Sequence, residues 1–160
     1  MRGVLPYLVV GWIALAVAYG WWESLLAPVV AEYEDGRVAR GGAPFPSRGW
    51  QRYRATGGGG FFATGVPARF GLPWWFWLVM AAMWTALTVA TGRFSNPTAA
   101  VFEAIPVALL IGLAAYFGLG RWGKSASRLH AAVFAKGEAR AALIAAALDA
   151  DPELKEGTAS

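Results

Sequence analysis

Long apolar stretches without charge dominate the chain. Residues 3–22 and 70–92 contain no charged side chain, and residues 94–120 contain only Glu103. A bilayer core of about 30 Å requires about 20 helical residues at 1.5 Å each. Each stretch is therefore long enough to cross a membrane as a helix. We predict an all-α integral membrane protein with three transmembrane helices.

Apolar and charged runs divide the chain into four segments. These are a first transmembrane helix at residues 1–32, a cytoplasmic loop rich in glycine, arginine and aromatic residues at 33–71, a transmembrane helical hairpin at 72–120, and a cytoplasmic amphipathic helix with an acidic tail at 121–160. Asn96 and Pro97 suit the start of the last span. Ala16-Val17-Ala18 resembles a signal-peptide cleavage site, but the apolar stretch is long, so we favour a retained helix.

The basic residues indicate the orientation of these segments. Six of them lie in the 33–71 loop and six in the tail, whereas only Arg2 and Arg93 would lie on the other side of the membrane. Short cytoplasmic segments carry an excess of lysine and arginine. We therefore expect a multi-pass protein of the plasma (inner) membrane, with the N-terminus outside and with the loop and the C-terminus in the cytoplasm.

The composition excludes several kinds of chemistry. Hydrophobic residues make up 57% of the chain and charged residues 15%, there is no cysteine, and His130 is the single histidine. Disulfides, iron–sulfur clusters and cysteine zinc sites are impossible, and no nucleophile or phosphate-loop motif occurs. We expect no metal, no cofactor and no catalytic activity. The net charge of +4 beside apolar segments favours anionic phospholipids over nucleic acid as a partner.

Glu103 is the most informative polar residue of the predicted spans. It lies about 9 Å into the last span at 1.5 Å per residue, where an unpaired carboxylate costs several kcal/mol. Arg93 in the outer turn is the expected partner, and we expect hydrogen bonds from Thr85, Thr88 and Thr91 on the adjoining span. This intramembrane polar site is interpreted either as a proton or cation relay or a substrate contact, or as a structural pair with Arg93 or a polar contact with a neighbouring subunit.

Arginine and aromatic residues cluster beside the spans. The predicted lipid- or partner-binding residues are Arg48, Trp50, Arg52, Tyr53 and Arg54 in the loop, and Trp74, Trp75, Trp77 and Trp122 at the ends of the hairpin. Guanidinium groups bind phosphate, and indole rings prefer the headgroup layer. We expect the loop to lie on the membrane or to pack on another subunit.

The tail has the pattern of one amphipathic helix from about residue 125 to 148, with His130 on its apolar side. Such a helix lies at a membrane interface or docks on a partner. Glu23, near the inner end of the first span, is expected to be solvated.

These features favour a non-catalytic accessory subunit of a larger respiratory, photosynthetic or transport complex, with other integral membrane subunits and anionic phospholipids as partners. A small channel or transporter component that uses Glu103 is the alternative. An enzyme acting on lipid is less consistent with the sequence, because the predicted topology places Glu103 and His130 at opposite membrane faces.

Overall fold

A computed structural model describes residues 5–57 and 65–157, and all regular structure in these two ranges is helical, as predicted. The helices are α1 (Leu5–Ala39), α2 (Arg48–Thr56), α3 (Ala68–Gly71), α4 (Trp74–Ala90), α5 (Pro97–Leu119), α6 (Gly123–Phe134), α7 (Gly137–Asp149) and α8 (Pro152–Gly157), with a single 3-10 turn at Arg93–Ser95.

Within the described ranges, two helices are long and apolar enough to cross a membrane. They are Val10–Ala39 within α1, with a mean hydropathy of 1.5, and α5, with a mean hydropathy of 2.0. Asn96 caps α5 as expected, because its side chain accepts a hydrogen bond from the backbone N–H of Thr98 at 3.0 Å. The apolar helix α4 packs along α5 but has only 17 residues, which correspond to about 25 Å.

Helix α1 consists of two halves with different surroundings. Its 35 residues extend about 52 Å, well beyond the thickness of a bilayer core. None of residues 10–19 is buried, whereas residues 20–37 bury a continuous stripe. The helix ends at Ala39, so the predicted boundary at residue 32 is wrong as a helix end. Glu34 and Arg37, which lie beyond that boundary, remain in the helix because both have buried partners.

Residues 20–37, the inner half of α1, form the centre of a packed group of helices. This group, the head, also includes α2, α3, α6, α7 and α8. Its buried core is largely aliphatic on the α1, α6 and α7 surfaces and aromatic where the 33–71 segment packs. The central members are Leu26, Val30, Tyr33, Phe45, Trp50, Phe70, Leu129, Ala147 and Leu148.

The tail is not one helix. The backbone is extended at Ala135 and Lys136, and Gly137 begins α7 with a φ of +55°, a conformation that glycine adopts without steric cost. The break lets α6 and α7 pack against each other and against α1. The apolar stripe predicted for one long helix is therefore shared between two short ones.

The 33–71 segment folds back onto the head. Ser47 caps α2 by accepting a hydrogen bond from Trp50 N, and Gly57 ends the helix in the left-handed conformation. Gly65 also has a positive φ, of +61°, and a Cβ atom there would lie 2.5 Å from the backbone nitrogen of Trp50. Only glycine fits this approach. Residues 58–64, with most of the tetraglycine, lie outside the described residues.

Candidate functional site

Glu103 lies in a polar cluster at the loop end of the α4–α5 hairpin. Its Oε1 pairs with Arg93 Nη1 at 2.7 Å, which is the ion pair expected from the sequence. Its Oε2 accepts a hydrogen bond from Trp84 Nε1 at 3.0 Å, a partner that the sequence analysis missed. Trp84 lies on α4, so the carboxylate links the turn at residues 91–96 with both helices of the hairpin.

The threonines of α4 do not contribute to this cluster as expected. The hydroxyl groups of Thr85, Thr88 and Thr91 each donate to the carbonyl four residues earlier in α4, at 2.9, 2.8 and 2.9 Å. A hydroxyl has one hydrogen to donate, and in an apolar helix the preceding turn is the nearest acceptor. The expected hydrogen bonds from these residues to Glu103 are therefore absent.

The cluster has the chemistry of a structural pair more than that of a proton pathway. Both carboxylate oxygens of Glu103 have a donor, and the Glu103 side chain is 13% exposed. No other acidic or basic residue lies on α4 or α5, and a relay requires successive titratable groups. The arrangement holds the turn at residues 91–96 against the hairpin.

Trp50 was predicted to bind lipid or a partner, and the structure contradicts this. Its side chain is completely buried, and its Nε1 donates to Glu34 Oε2 at 2.7 Å. Glu34 Oε1 accepts the backbone N–H of Phe45 at 2.6 Å. A single carboxylate on α1 thus holds two points of the loop. A buried indole requires a hydrogen-bond acceptor, and Glu34 supplies it.

The other loop residues divide into packed and exposed ones. Tyr53 is half-buried and stacks on Trp50, with ring centroids 5.3 Å apart. Arg54 pairs with Asp35 and lies 3.4 Å from Glu34. Arg48 and Arg52 remain exposed. The described part of the loop packs on its own chain, and Arg48, Arg52 and Arg54 are its predicted contact residues that stay exposed.

The four tryptophans assigned to the headgroup layer also differ. Trp74 and Trp75 are 44% and 52% exposed. Trp77 stacks on Phe117 of α5 with ring centroids 5.8 Å apart, and its buried Nε1 has no hydrogen-bond partner among the described residues. Trp122 is part of the head, where the guanidinium of Arg69 lies 3.9 Å from its ring centroid.

A buried ionic network joins α1 to the C-terminal end of the chain. Arg37 Nε pairs with Asp151 Oδ2 at 3.0 Å, and Tyr33 donates to the same oxygen at 2.7 Å. Arg37 also pairs with Glu153 and donates to the carbonyl of Ala43. The Asp151 side chain is fully buried, and its Oδ1 caps α8 by accepting the backbone N–H of Glu153 at 2.8 Å.

The sequence carried a local signal for this network, namely an aspartate followed by proline at residues 151 and 152, which is typical of a helix start. It carried no signal for the pairing with Arg37. Arg69 lies beside the network, stacks on Phe45, Phe70 and Trp122, and reaches Glu153 at 3.3 Å. Burial lowers the pKa of Arg69, and Glu153 opposes this shift.

A third polar arrangement lies where the head meets α4. His130 Nε2 is 2.7 Å from the carbonyl oxygen of Phe70; a carbonyl only accepts, so Nε2 carries the hydrogen. Burial lowers the pKa of His130, and the Phe70 carbonyl opposes this shift. Trp22 Nε1 donates to the next carbonyl, that of Gly71, at 2.7 Å. Nearby on α1, Glu23 is only 5% exposed, so the expectation that it is solvated is wrong.

Among residues 5–57 and 65–157, no group of three or more acidic or histidine side chains is placed to hold a metal ion. The chain matches no protein-family model, no curated protein and no solved structure, so its function is inferred from its own residues.

Proposed function

We propose that this protein is a non-catalytic accessory subunit of a larger assembly in the plasma (inner) membrane, of a respiratory, photosynthetic or transport type. It would span the membrane three times, with the N-terminus outside and the helical head in the cytoplasm. Other integral membrane subunits and anionic phospholipids are its partners in this proposal. The observation that carries it is the pair of apolar helices whose surfaces this chain leaves uncovered.

The outer half of α1 has little contact with the rest of the chain. Trp12 and Ile13 are 61% and 59% exposed, and an alanine side chain at Gly11 would meet no atom within 4 Å. The extensive contacts of α1 are with α3, α6 and α7, through its inner half. Three helices that formed a bundle of their own would each bury a stripe, and residues 10–19 of α1 bury none.

Helix α5 supports the same conclusion. It packs on α4, yet Ala114 is its one buried residue. Leu109 and Ile105 are among the exposed side chains on its outer face. Lipid supplies no hydrophobic driving force between membrane helices, so packing surfaces are needed for association. The chain offers two separate surfaces, on α1 and on α5, to neighbouring helices and lipid.

Connectivity and charge support the proposed third span and the proposed orientation. A span of 17 residues is at the lower end of the usual range, and α4 is tied to α5 by the short segment at residues 91–96. If α5 crosses the membrane, α4 has to return across it to reach the head. The basic residues of the loop and the tail lie on the head side, which supports a cytoplasmic head.

Two measurements test this proposal. A reporter that works only in the cytoplasm should be active when it is fused after Ser160. A reporter that works only outside should be active when it is inserted at Ser95. The reverse pattern would refute the orientation. Purification of the tagged chain in mild detergent should recover larger membrane subunits in a fixed ratio. Recovery of the chain alone, at every detergent concentration that preserves its fold, would refute the role as a subunit.

A small channel or transporter component is the second candidate, supported by the presence of one largely buried ionisable residue in the hairpin. The purified chain in vesicles should then conduct a specific ion, and Glu103→Gln should abolish the flux while Glu32→Gln leaves it unchanged. Under the subunit proposal, the chain alone gives no specific flux, and Glu103→Gln weakens only the hairpin.

A further inference from the structure

A cleft opens at the junction between the head and the start of α4. Its volume is about 260 Å³, and its walls come from α1, α4 and α6. The rings that line it are Trp22, Trp74, Trp75, His130 and Phe134. A cleft with five rings and little polar surface is suited to a hydrocarbon chain.

The inner walls of the cleft are held in position before any ligand binds. Trp22 and His130 donate to the consecutive carbonyls of Gly71 and Phe70, each at 2.7 Å. The two rings also pack edge to face, with centroids 5.5 Å apart. Because Trp22 Nε1 and His130 Nε2 both bond to the backbone, the two rings are held in place with apolar faces towards the cleft. Such preorganisation lowers the entropic cost of binding.

The rim of the cleft exposes apolar rings that water would not favour. Phe134 at the end of α6 is 76% exposed, and Trp75 is 52% exposed. Trp74 lies beside them and packs over Gly118 near the inner end of α5. In the proposed topology, aromatic rings at the start of α4 lie at the depth of the lipid headgroups. The cleft therefore opens towards membrane lipid.

A cation lies on the same face of α6 as the cleft. Ser127 and Ala131 line the cleft together with Phe134, and Lys124 precedes Ser127 by three residues, which places it on this face. Lys124 is exposed. An apolar slot with an ammonium group at one end complements an amphiphile that carries a negative headgroup.

We propose that this junction cleft binds an anionic phospholipid, with an acyl chain between the five rings and the phosphate at Lys124. The inference rests on the proposed membrane placement of the chain and names the lipid class for one site in it. The bound lipid would fill the space between the head and the hairpin.

The test uses the purified full-length chain in non-ionic detergent, titrated with equal amounts of phosphatidylglycerol and phosphatidylcholine and observed by native mass spectrometry. The unaltered chain should prefer phosphatidylglycerol, and Lys124→Gln should reduce this preference about fivefold, which corresponds to about 1 kcal/mol for one cation near the surface. Lys155→Gln, an exposed lysine on α8, is the matched control and should keep the preference.

A second variant pair tests the slot itself. Ala131→Trp places an indole in the cleft and should reduce binding of both lipids at least tenfold, whereas Ala145→Trp on an exposed position of α7 should not. Phosphatidylglycerol with a photoreactive acyl chain should label the tryptic peptide of residues 129–136. Equal binding to Ala131→Trp and Ala145→Trp, or labelling confined to residues 97–119, would overturn the proposal.

These results are separable from those of the complex. If no larger subunit co-purifies but the cleft variants lose lipid, the subunit role fails and the lipid site stands. If larger subunits co-purify and the cleft variants bind lipid normally, the lipid site fails and the subunit role stands.

Discussion

Removing the carboxylate of Asp151 should destabilise the head more than any other single polar substitution in it. Asp151 is fully buried, and it accepts hydrogen bonds from Arg37, Tyr33 and the backbone at the start of α8. Asp151→Leu leaves the guanidinium of Arg37, itself 4% exposed, with one carboxylate fewer. It also leaves the Tyr33 hydroxyl without this acceptor.

The magnitude follows from these contacts. Breaking a buried ion pair by removing one partner costs about 3–5 kcal/mol. Asp151→Asn keeps an oxygen that can cap α8 but removes the charge, so it should cost about 1.5–3 kcal/mol, the contribution of a hydrogen bond to a charged group. The prediction that Asp151→Leu is less stable than Asp151→Asn is a stronger test than either value.

Pulse proteolysis in a urea series, with the chain in mild detergent, measures the free energy of unfolding of the head. Asp149→Leu is the matched control, because Asp149 forms an exposed pair with Arg40, and exposed pairs contribute about 0–1 kcal/mol. The double variant Arg37→Met with Asp151→Leu should recover stability relative to Asp151→Leu, since it also removes the buried guanidinium that has lost its Asp151 partner. Equal stability of Asp151→Leu and the unaltered chain would refute this reasoning, as would a double variant with fully additive losses.

Three further predictions concern the loop, pH and backbone. Glu34→Gln removes one of the two oxygens that accept hydrogen bonds from the loop, so trypsin should cut the loop at least several times faster than in the unaltered chain. Glu32→Gln, on an exposed position, should cause no change. Equal cleavage rates for both variants would contradict the role of Glu34. Folding lowers the pKa of His130, so on acidification His130 binds a proton at a higher pH in the unfolded chain than in the folded one. The free energy of unfolding should therefore fall as pH falls below about 6.5. In a pH series of urea titrations, His130→Gln should flatten this dependence. Gly65→Ala should destabilise the head by more than Gly57→Ala in the same titrations. Both positions have a positive φ, which costs an alanine about 1–2 kcal/mol, but of the two only Gly65 would bring the new Cβ within 4 Å of backbone atoms. Equal losses of stability would refute the steric argument.

The sequence was informative wherever the determining contacts are local. Apolar runs predicted the helices, and Asn96 with Pro97 predicted the start of α5. Glu103 and Arg93 are only ten residues apart in the chain, so their pairing followed from a short turn between two spans. These features depend on hydrogen bonds and spacing within one or two turns of helix.

The arginines and tryptophans beside the spans were harder to interpret, because their chemistry suits both a headgroup layer and a packed interior. Trp50 is buried only because Glu34 on α1 provides an acceptor for its indole, and Arg37 is buried only because Asp151 and Glu153 come from the opposite end of the chain. Composition identified these residue types but not their partners.

By itself, then, the sequence determined the helical class, the apolar segments and the polar turn of the hairpin, since each depends on neighbours along the chain. The tertiary structure alone decided that α1 continues into a head, that the tail folds as two helices, and that the arginine-rich loop packs on its own chain. The physical reason is that a buried charge or indole is stable only beside a specific partner. Contacts such as Arg37 with Asp151, 114 residues apart, are set by the fold.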